Sequence, residues 1–315
     1  MTSPQISVLI ITYNHRAFIR ETVESVLEQD FESLEVVVAD DGSTDGADQV
    51  ILQLAQEHPG KVVPVVGGPN VGIAKNSNRG LKQCRGRFLN LLGGDDLFLP
   101  GKLSAQMKWF EADGRRVLCG HDAYIFESST GQNTRRYSDL SGWGEGSGAE
   151  DFLAKGCPYL PSGILVRASE LPAYGFDERV GLVIDGKMFI DVLVGGGRYG
   201  HVDGVYARYR RHAGNMSGTA SQRILIDTFT YLSVVEAEHP RLVRACRKGR
   251  ARLHVGAGIV ALKAGRTEEA RQHLANALLT CPEYSWKVPA WYALSMLPPK
   301  LRDAAVARGR TKVAI

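Results

Sequence analysis

The first 110 residues alternate two hydrophobic periods. Ile6-Ser7-Val8-Leu9-Ile10-Ile11 and Leu34-Glu35-Val36-Val37-Val38-Ala39 are short apolar runs of the kind a strand buried on both faces requires. Between them Ile19, Val23, Val26 and Leu27 recur at helical spacing, with Asn14 ahead of them as the expected N-cap. A helix through Val50, Ile51 and Leu54, a strand at Val62–Val66, a helix around Ala74–Leu81 and a strand at Phe88–Leu92 continue the series. This alternation predicts an α/β fold, a mostly parallel sheet covered by helices. In such sheets ligands gather at the carboxyl ends of the strands, beside the topological switch point.

The pattern then changes. Pro100 suits the first turn of a helix running to about Asp113. Residues 128–148 are rich in Gly, Ser and Thr without a period and read as a mobile surface loop. Strand-like runs at Ile164–Val166 and Val205–Tyr209 flank a helix near Asp185–Val194. Beyond Ala220 the strand signals stop, and Leu225–Glu238, Leu242–Ala264, Thr267–Thr280 and Val288–Leu297 read as helices. The expected division is a sheet-containing domain over 1–220 and an all-helical appendage over 221–315. Ala270, Leu274 and Leu278 share one face there, like half of a tetratricopeptide-type pair, but a single copy is not a repeat array. Gly195-Gly196-Gly197-Arg198-Tyr199-Gly200 matches GxGxxG in form only. It leaves a helix and enters a strand, the reverse of a dinucleotide fingerprint.

Composition narrows the class. With 44% hydrophobic and 23% charged residues in 315, the chain can bury a sizeable core, which excludes disorder. No stretch reaches the roughly 18–20 apolar residues of a spanning helix, and the N-terminus does not read as a secretory signal. The five cysteines are scattered with no CxxC pair, which argues against a disulfide framework or a cysteine zinc site and for a cytoplasmic setting. Charge is uneven: residues 241–315 carry 15 Lys and Arg against 4 Asp and Glu, a net +11, and residues 1–240 a net −7. The basic end suits a solvated face or a peripheral contact with the anionic cytoplasmic face of a membrane, to which Trp286, Lys287, Trp291 and Tyr292 would contribute. The acidic half argues against nucleic acid as a partner.

Polar clusters stand where strands end: Thr12-Tyr13-Asn14 after the first, Asp40 to Asp45 after the second, and Gly93-Gly94-Asp95-Asp96 after the fourth. Any one of them could simply cap a helix; three on one rim point to a shared site. Paired carboxylates at Asp95 and Asp96 repel one another unless a cation lies beside them, and hard oxygen ligands favour Mg²⁺ or Mn²⁺ completed by phosphate oxygens. The preceding glycines allow a diphosphate to approach the backbone. Asp41 could accept the N–H of a base such as uracil, and Tyr13 offers a ring for it to lie against.

ISVLIITYN, VVVADDGSTD, NVGIAKNSNRGLKQCRGRFLNLLGGDD and YRRHAGNMS, taken in order, resemble the family-2 glycosyltransferases of the GT-A (Rossmann-like) fold over residues 5–218. The resemblance implies an inverting, metal-dependent transferase that moves a sugar from a nucleotide-diphosphate sugar, UDP first, to a glycan or lipid-linked acceptor hydroxyl in glycan or polysaccharide assembly. It places Thr12, Tyr13, Asn14, Asp41, Lys75, Asn78, Arg79 and Asp95 around the nucleotide, Asp95, Asp96 and His212 at Mn²⁺ or Mg²⁺, and Asp185 as catalytic base, with Asp177 and Glu178 as turn residues. Arg210 or Arg211 would reach phosphate, only one of them pointing inward; Asn215 and Ser217 belong to the same motif. Two departures stand out: Gly93 replaces the first acid of the usual LDxDD pattern, and Ile184 replaces the acid before Asp185. They give weight to a competing reading, a non-catalytic nucleotide-sugar-binding or scaffold protein with a partner-recruiting tail. A sugar-nucleotide-forming nucleotidyltransferase fits less well, because it would carry a Gly-rich basic loop where Thr12-Tyr13-Asn14 stands.

Overall fold

The computed structural model describes residues 4–140, 146–215, 221–284 and 287–297. Strands β1 (Ile6–Thr12), β2 (Leu34–Asp40), β3 (Val62–Val65) and β4 (Phe88–Gly93) pair in parallel in the order 3-2-1-4. Helices α1 (Ile19–Leu27), α2 (Ala47–Glu57) and α3 (Ile73–Leu81) connect them. The sheet continues past β4 through β9 (Leu165–Arg167), β6 (Arg116–Glu127), β10 (Arg198–Arg211) and the short β5 (Leu97–Phe98). β9 runs antiparallel to both of its neighbours, and β6 and β10 run parallel to each other.

The continuous apolar runs follow from burial on two faces. Ile6, Val8 and Ile10 pack with Val23 and Val26 of α1, Ile51 and Leu54 of α2, and Leu103 and Phe110 of α4 (Lys102–Glu111). Leu9, Val37 and Ala39 point to the other face, toward Ala74 of α3, Phe152 and Leu153 of α5 (Gly148–Lys155), and Phe189 of α6 (Ile184–Val194). Reversing the strand order between β1 and β4 opens the sheet's carboxyl edge at that point, and the loops after β1, β2 and β4 meet there.

Two expectations change. Residues 128–148 are not one structureless loop: β7 (Asn133–Arg136) pairs antiparallel with β6, a 3₁₀ turn covers Tyr137–Asp139, and β8 (Gly146–Ser147) pairs with β10. All four residues of β7 are exposed, so no apolar alternation marked it. Residues 141–145 lie outside the described residues. Asn14 is also not the cap of α1; Phe18 holds that position, and Asn14 has a left-handed φ of 57°.

The C-terminal helices Ser221–Glu238, Val243–Lys263, Thr267–Thr280 and Lys287–Ser295 agree with the periodicity. The division at residue 220 does not separate two cores, however. Tyr231, Leu232, Val235, Leu242 and Cys246 belong to the same apolar cluster as Leu153 and Phe189, and Asp227 accepts the Leu182 N–H at 2.9 Å. A separate small core begins at Ala251 and includes Leu262, Leu274 and Val288, with Trp291 and Tyr292 packed against it. Two of the aromatics expected at a membrane surface therefore serve that core, and Trp286 lies outside the described residues. No helix among the described residues is long and apolar enough to cross a membrane.

Candidate active site

The site is built at the carboxyl ends of β1, β2, β4 and β10. The loops after β1 and β2 are joined: Asn14 donates its N–H to Ser43 Oγ at 2.7 Å, its Oδ1 accepts the Thr44 N–H at 2.9 Å, and Asp45 accepts the Arg16 N–H at 2.8 Å. Asn14 thus clamps one loop to the other. Asp40 closes its own turn by accepting from the Ser43 N–H and hydroxyl. The Asp41 carboxylate is buried and accepts from the Val71 and Gly72 N–H groups at 2.8 and 3.0 Å, so it also ties the loop after β3 to the site. Tyr13, 45% exposed, leaves its ring open to a stacking partner.

The α3 residues divide. Lys75 is exposed. Asn78 binds the Phe176 backbone with both ends of its amide, at 2.8 and 2.9 Å, and Arg79 donates to the Gly67 carbonyl at 2.8 Å. Both link elements in this structure.

The two acids after β4 point in different directions. Asp96 is 1% exposed and accepts the Arg210 N–H at 3.1 Å. Burial, reinforced by the neighbouring Asp95 charge, holds its carboxyl well above the ordinary aspartate value, while Ser162 hydrogen-bonds it. Asp95 faces the loop after β10: its Oδ2 meets His212 Nε2 at 3.0 Å and accepts from Asn215 Nδ2 at 3.2 Å. His212 Nδ1 accepts the Gly214 N–H at 3.2 Å, which leaves the Nε2 proton to face Asp95. At this edge of the sheet the residues that fit a divalent cation are Asp95, His212 and a third, His15, whose donor atoms lie within 4.8 Å of one another. Asp95 and His212, two of the three residues expected at the cation, belong to this group; Asp96, buried and turned toward Arg210 and Ser162, does not. His15 stands at the entry to α1, and burial lowers its pKa below the ordinary histidine value. It went unremarked in the sequence because a lone histidine after a strand carries no signal.

Of Arg210 and Arg211, Arg210 points inward. It donates to the Asp95 carbonyl at 2.7 Å, pairs with Glu21, and lies 4.7 Å from the Phe18 and Phe126 ring centres. It braces the acid-bearing turn rather than facing solvent. An open cleft of about 540 Å³ lies at the ends of β6 and β10, with Glu127, Arg211 and His212 in its wall. Asp185 is not part of that wall. Ser217 lies outside the described residues.

Asp185 sits in the first turn of α6, where Val183 rather than Asp185 is the N-cap, and its Oδ1 accepts the Gly186 N–H at 2.7 Å. Burial pushes its carboxyl above the ordinary aspartate value. Its charge acts on Tyr137 and Cys157, and burial is the larger influence on both; it pushes the thiol up to about 12. Asp185 therefore borders the Cys157–Ser162 segment, and Asp96 hydrogen-bonds the far end of that segment. Asp177 and Glu178 are structural as expected: Asp177 caps a 3₁₀ turn and pairs with Arg179 at 2.6 Å, and Glu178 is exposed.

Comparison with known proteins agrees with this geometry. The model of Glycosyl transferase family 2 matches residues 7–158. An uncharacterized protein of Mycobacterium tuberculosis is 29% identical over 209 residues, covering 66% of this chain and 59% of that protein. The chain thus spans about three-fifths of the length of the curated relatives it matches first. Among solved structures, S. aureus TarS 1–349 in complex with UDP-GlcNAc superposes with a TM-score of 0.64 at 17% identity, over 96% of this chain and 89% of that one. The mannosyltransferase PcManGT from Pyrobaculum calidifontis, in complex with GDP-Man and Mn²⁺, gives 0.61 at 19%, over 97% and 85%. With a 3-2-1-4 sheet and acids at its carboxyl edge, the chain has the GT-A fold, and residues 7–158 match the family-2 glycosyltransferases.

Proposed function

We propose that the protein transfers a sugar, with inversion, from a nucleotide-diphosphate sugar to an acceptor hydroxyl in glycan or polysaccharide assembly. UDP is the favoured carrier; the TarS complex holds UDP-GlcNAc, while PcManGT holds GDP-Man. The observation that carries the reading is the meeting of the loops after β1, β2, β4 and β10, which brings Tyr13, Asp41, Asp95 and His212 to one edge of the sheet. Thr12 and Tyr13 frame the nucleoside, and Asp41 shapes its pocket through the Val71–Gly72 backbone. Lys75 is free to approach the donor from α3. Asp95 and His212 would hold Mn²⁺ or Mg²⁺, which would supply charge neutralisation for the leaving diphosphate. Asp185 takes the acceptor's proton during a single displacement. The acceptor is a glycan or a lipid-linked glycan, reached from the cytoplasmic face with the basic C-terminal region toward the membrane.

Melting curves with UDP-, GDP- and dTDP-sugars, with and without Mn²⁺, test the donor. The correct one stabilises by RT ln(1+[L]/Kd), about 2.7 kcal/mol at a hundredfold excess over Kd. A flat response to every nucleotide sugar overturns the reading. Tyr13→Ala should weaken nucleotide binding about tenfold, since base–aromatic stacking contributes about 1–3 kcal/mol; calorimetry measures it. The pH profile checks Asp185. A base must be deprotonated to work, and burial raises its pKa. Transfer should therefore fall on acidification at a pH above the ordinary aspartate range, rather than persist down to about 4. A kcat/KM flat to that pH would remove Asp185 from the role.

A further inference from the structure

We propose that His15 is a third protein ligand of the divalent cation, completing with Asp95 and His212 a two-histidine, one-carboxylate set that favours a first-row transition metal over Mg²⁺. The inference rests on the reading of Asp95 and His212 as metal ligands given above.

Geometry supports it from several sides. Donor atoms of the three residues lie within 4.8 Å of one another, and two metal–ligand bonds of about 2.1 Å span about 4.2 Å. Side-chain rotation is enough to close the difference. His212 Nε2 and Asp95 Oδ2 already stand 3.0 Å apart, which is about the separation of two neighbouring ligands at right angles around such an ion. Binding there exchanges the Nε2 proton of His212 for the ion and gives up the long Gly214 contact.

His15 itself is poised. Its Nδ1 is buried and has no hydrogen-bond partner among the described residues, an unfavourable condition that a cation relieves. The ring is held by Phe18 and by the edge of His212, with centroids 6.3 and 6.1 Å away, and the His15 carbonyl accepts the Phe18 and Ile19 N–H groups at the start of α1. Gly94 makes the approach possible: a Cβ there would stand 3.0 Å from His15 Nδ1 and 2.6 Å from Thr12 Oγ1.

Two imidazoles change which ion the site prefers. Mg²⁺ takes oxygen ligands and dehydrates reluctantly. Affinity at nitrogen-containing sites rises from Mn²⁺ to Co²⁺. The expected order is Mg²⁺ weakest, then Mn²⁺, then Co²⁺.

The test is titration of the whole protein with MgCl₂, MnCl₂ and CoCl₂ in the absence of nucleotide, with bound Mn²⁺ followed by electron paramagnetic resonance. His15→Phe keeps the ring packing on Phe18 and removes both nitrogens; His15→Ala is the second variant, and melting curves verify that each is folded. Mn²⁺ affinity should fall about tenfold or more in both, since even outer partners of metal ligands contribute 10–100-fold. Mg²⁺ affinity should change less than about twofold by the same reasoning. Pulsed measurements should count two directly bound nitrogens in wild type and one in either variant. Unchanged Mn²⁺ affinity with an unchanged nitrogen count overturns the inference, as does wild type that binds Mg²⁺ as tightly as Mn²⁺. UDP binding in EDTA is read separately by calorimetry. UDP binding without Mn²⁺ binding sinks this inference alone, whereas a flat response to UDP-, GDP- and dTDP-sugars alike, with and without Mn²⁺, sinks the proposed function.

Discussion

Asp185→Asn is expected to lower kcat by about 10³-fold, within the 10²–10⁴ range that general-base catalysis contributes, which corresponds to about 4 kcal/mol of barrier. The substitution is nearly isosteric. The amide oxygen can still accept the Gly186 N–H that Asp185 holds at 2.7 Å, so α6 should begin as before. What is lost is a group able to take a proton. Nucleotide affinity and melting temperature should stay close to wild type, because the Asp185 carboxylate bonds, among the described residues, to the backbone of its own turn of α6. That split matters for the competing non-catalytic reading: a scaffold has no turnover to lose, so an active wild type and an inactive, nucleotide-binding variant exclude it. Equal turnover in both would instead move the base elsewhere.

Gly86→Ala should cause the largest loss of stability, about 3 kcal/mol or more, at the upper end of overpacking costs. A Cβ at Gly86 would stand 2.3 Å from the Ser7 nitrogen and 2.7 Å from the Ile6 carbonyl carbon, both backbone atoms of β1 that cannot rotate away. The turn before β4 is also locked chemically. Ser7 Oγ donates to Glu35 Oε1 at 2.6 Å and accepts the Gly86 N–H at 2.7 Å, while the Arg85 guanidinium pairs with the buried Glu35 carboxylate at 2.7 Å. Pushing this turn outward strains the β1–β2–β4 arrangement on which the site depends. A drop in melting temperature of about 5–10 °C is expected; a drop under about 2 °C would mean that the strands accommodate the methyl group.

Much of the first half could be read from the chain. The β1, β2 and β4 runs are buried on two faces, so consecutive apolar residues mark them without ambiguity, and the helices between the strands bury one stripe each. The C-terminal helices were legible for the same reason. β6 was not, because Cys119, Gly120, His121 and Asp122 interrupt its apolar pattern. They are tolerated since each finds a place in the fold: Asp122 accepts from Ala123, the Ser138 N–H and the Ser138 hydroxyl, and His121 Nδ1 meets the Asp122 carbonyl. Lys102 gave no signal either. It is wholly buried, donates to Asn90 and Gln106, and lies 4.0 Å from the Phe98 ring centre.

By itself the sequence determined β1 to β4, the helices between them and the C-terminal helices, and which polar clusters end up on the carboxyl rim, because both depend on local periodicity and on the order of elements along the chain. Only the tertiary structure decided which member of each cluster does what. Asp95 rather than Asp96 meets His212; Asn14, Asn78 and Arg79 hold loops together; His15 reaches the acid across Gly94. These outcomes depend on side-chain direction and on partners up to 117 residues away, which no pattern along a single segment contains.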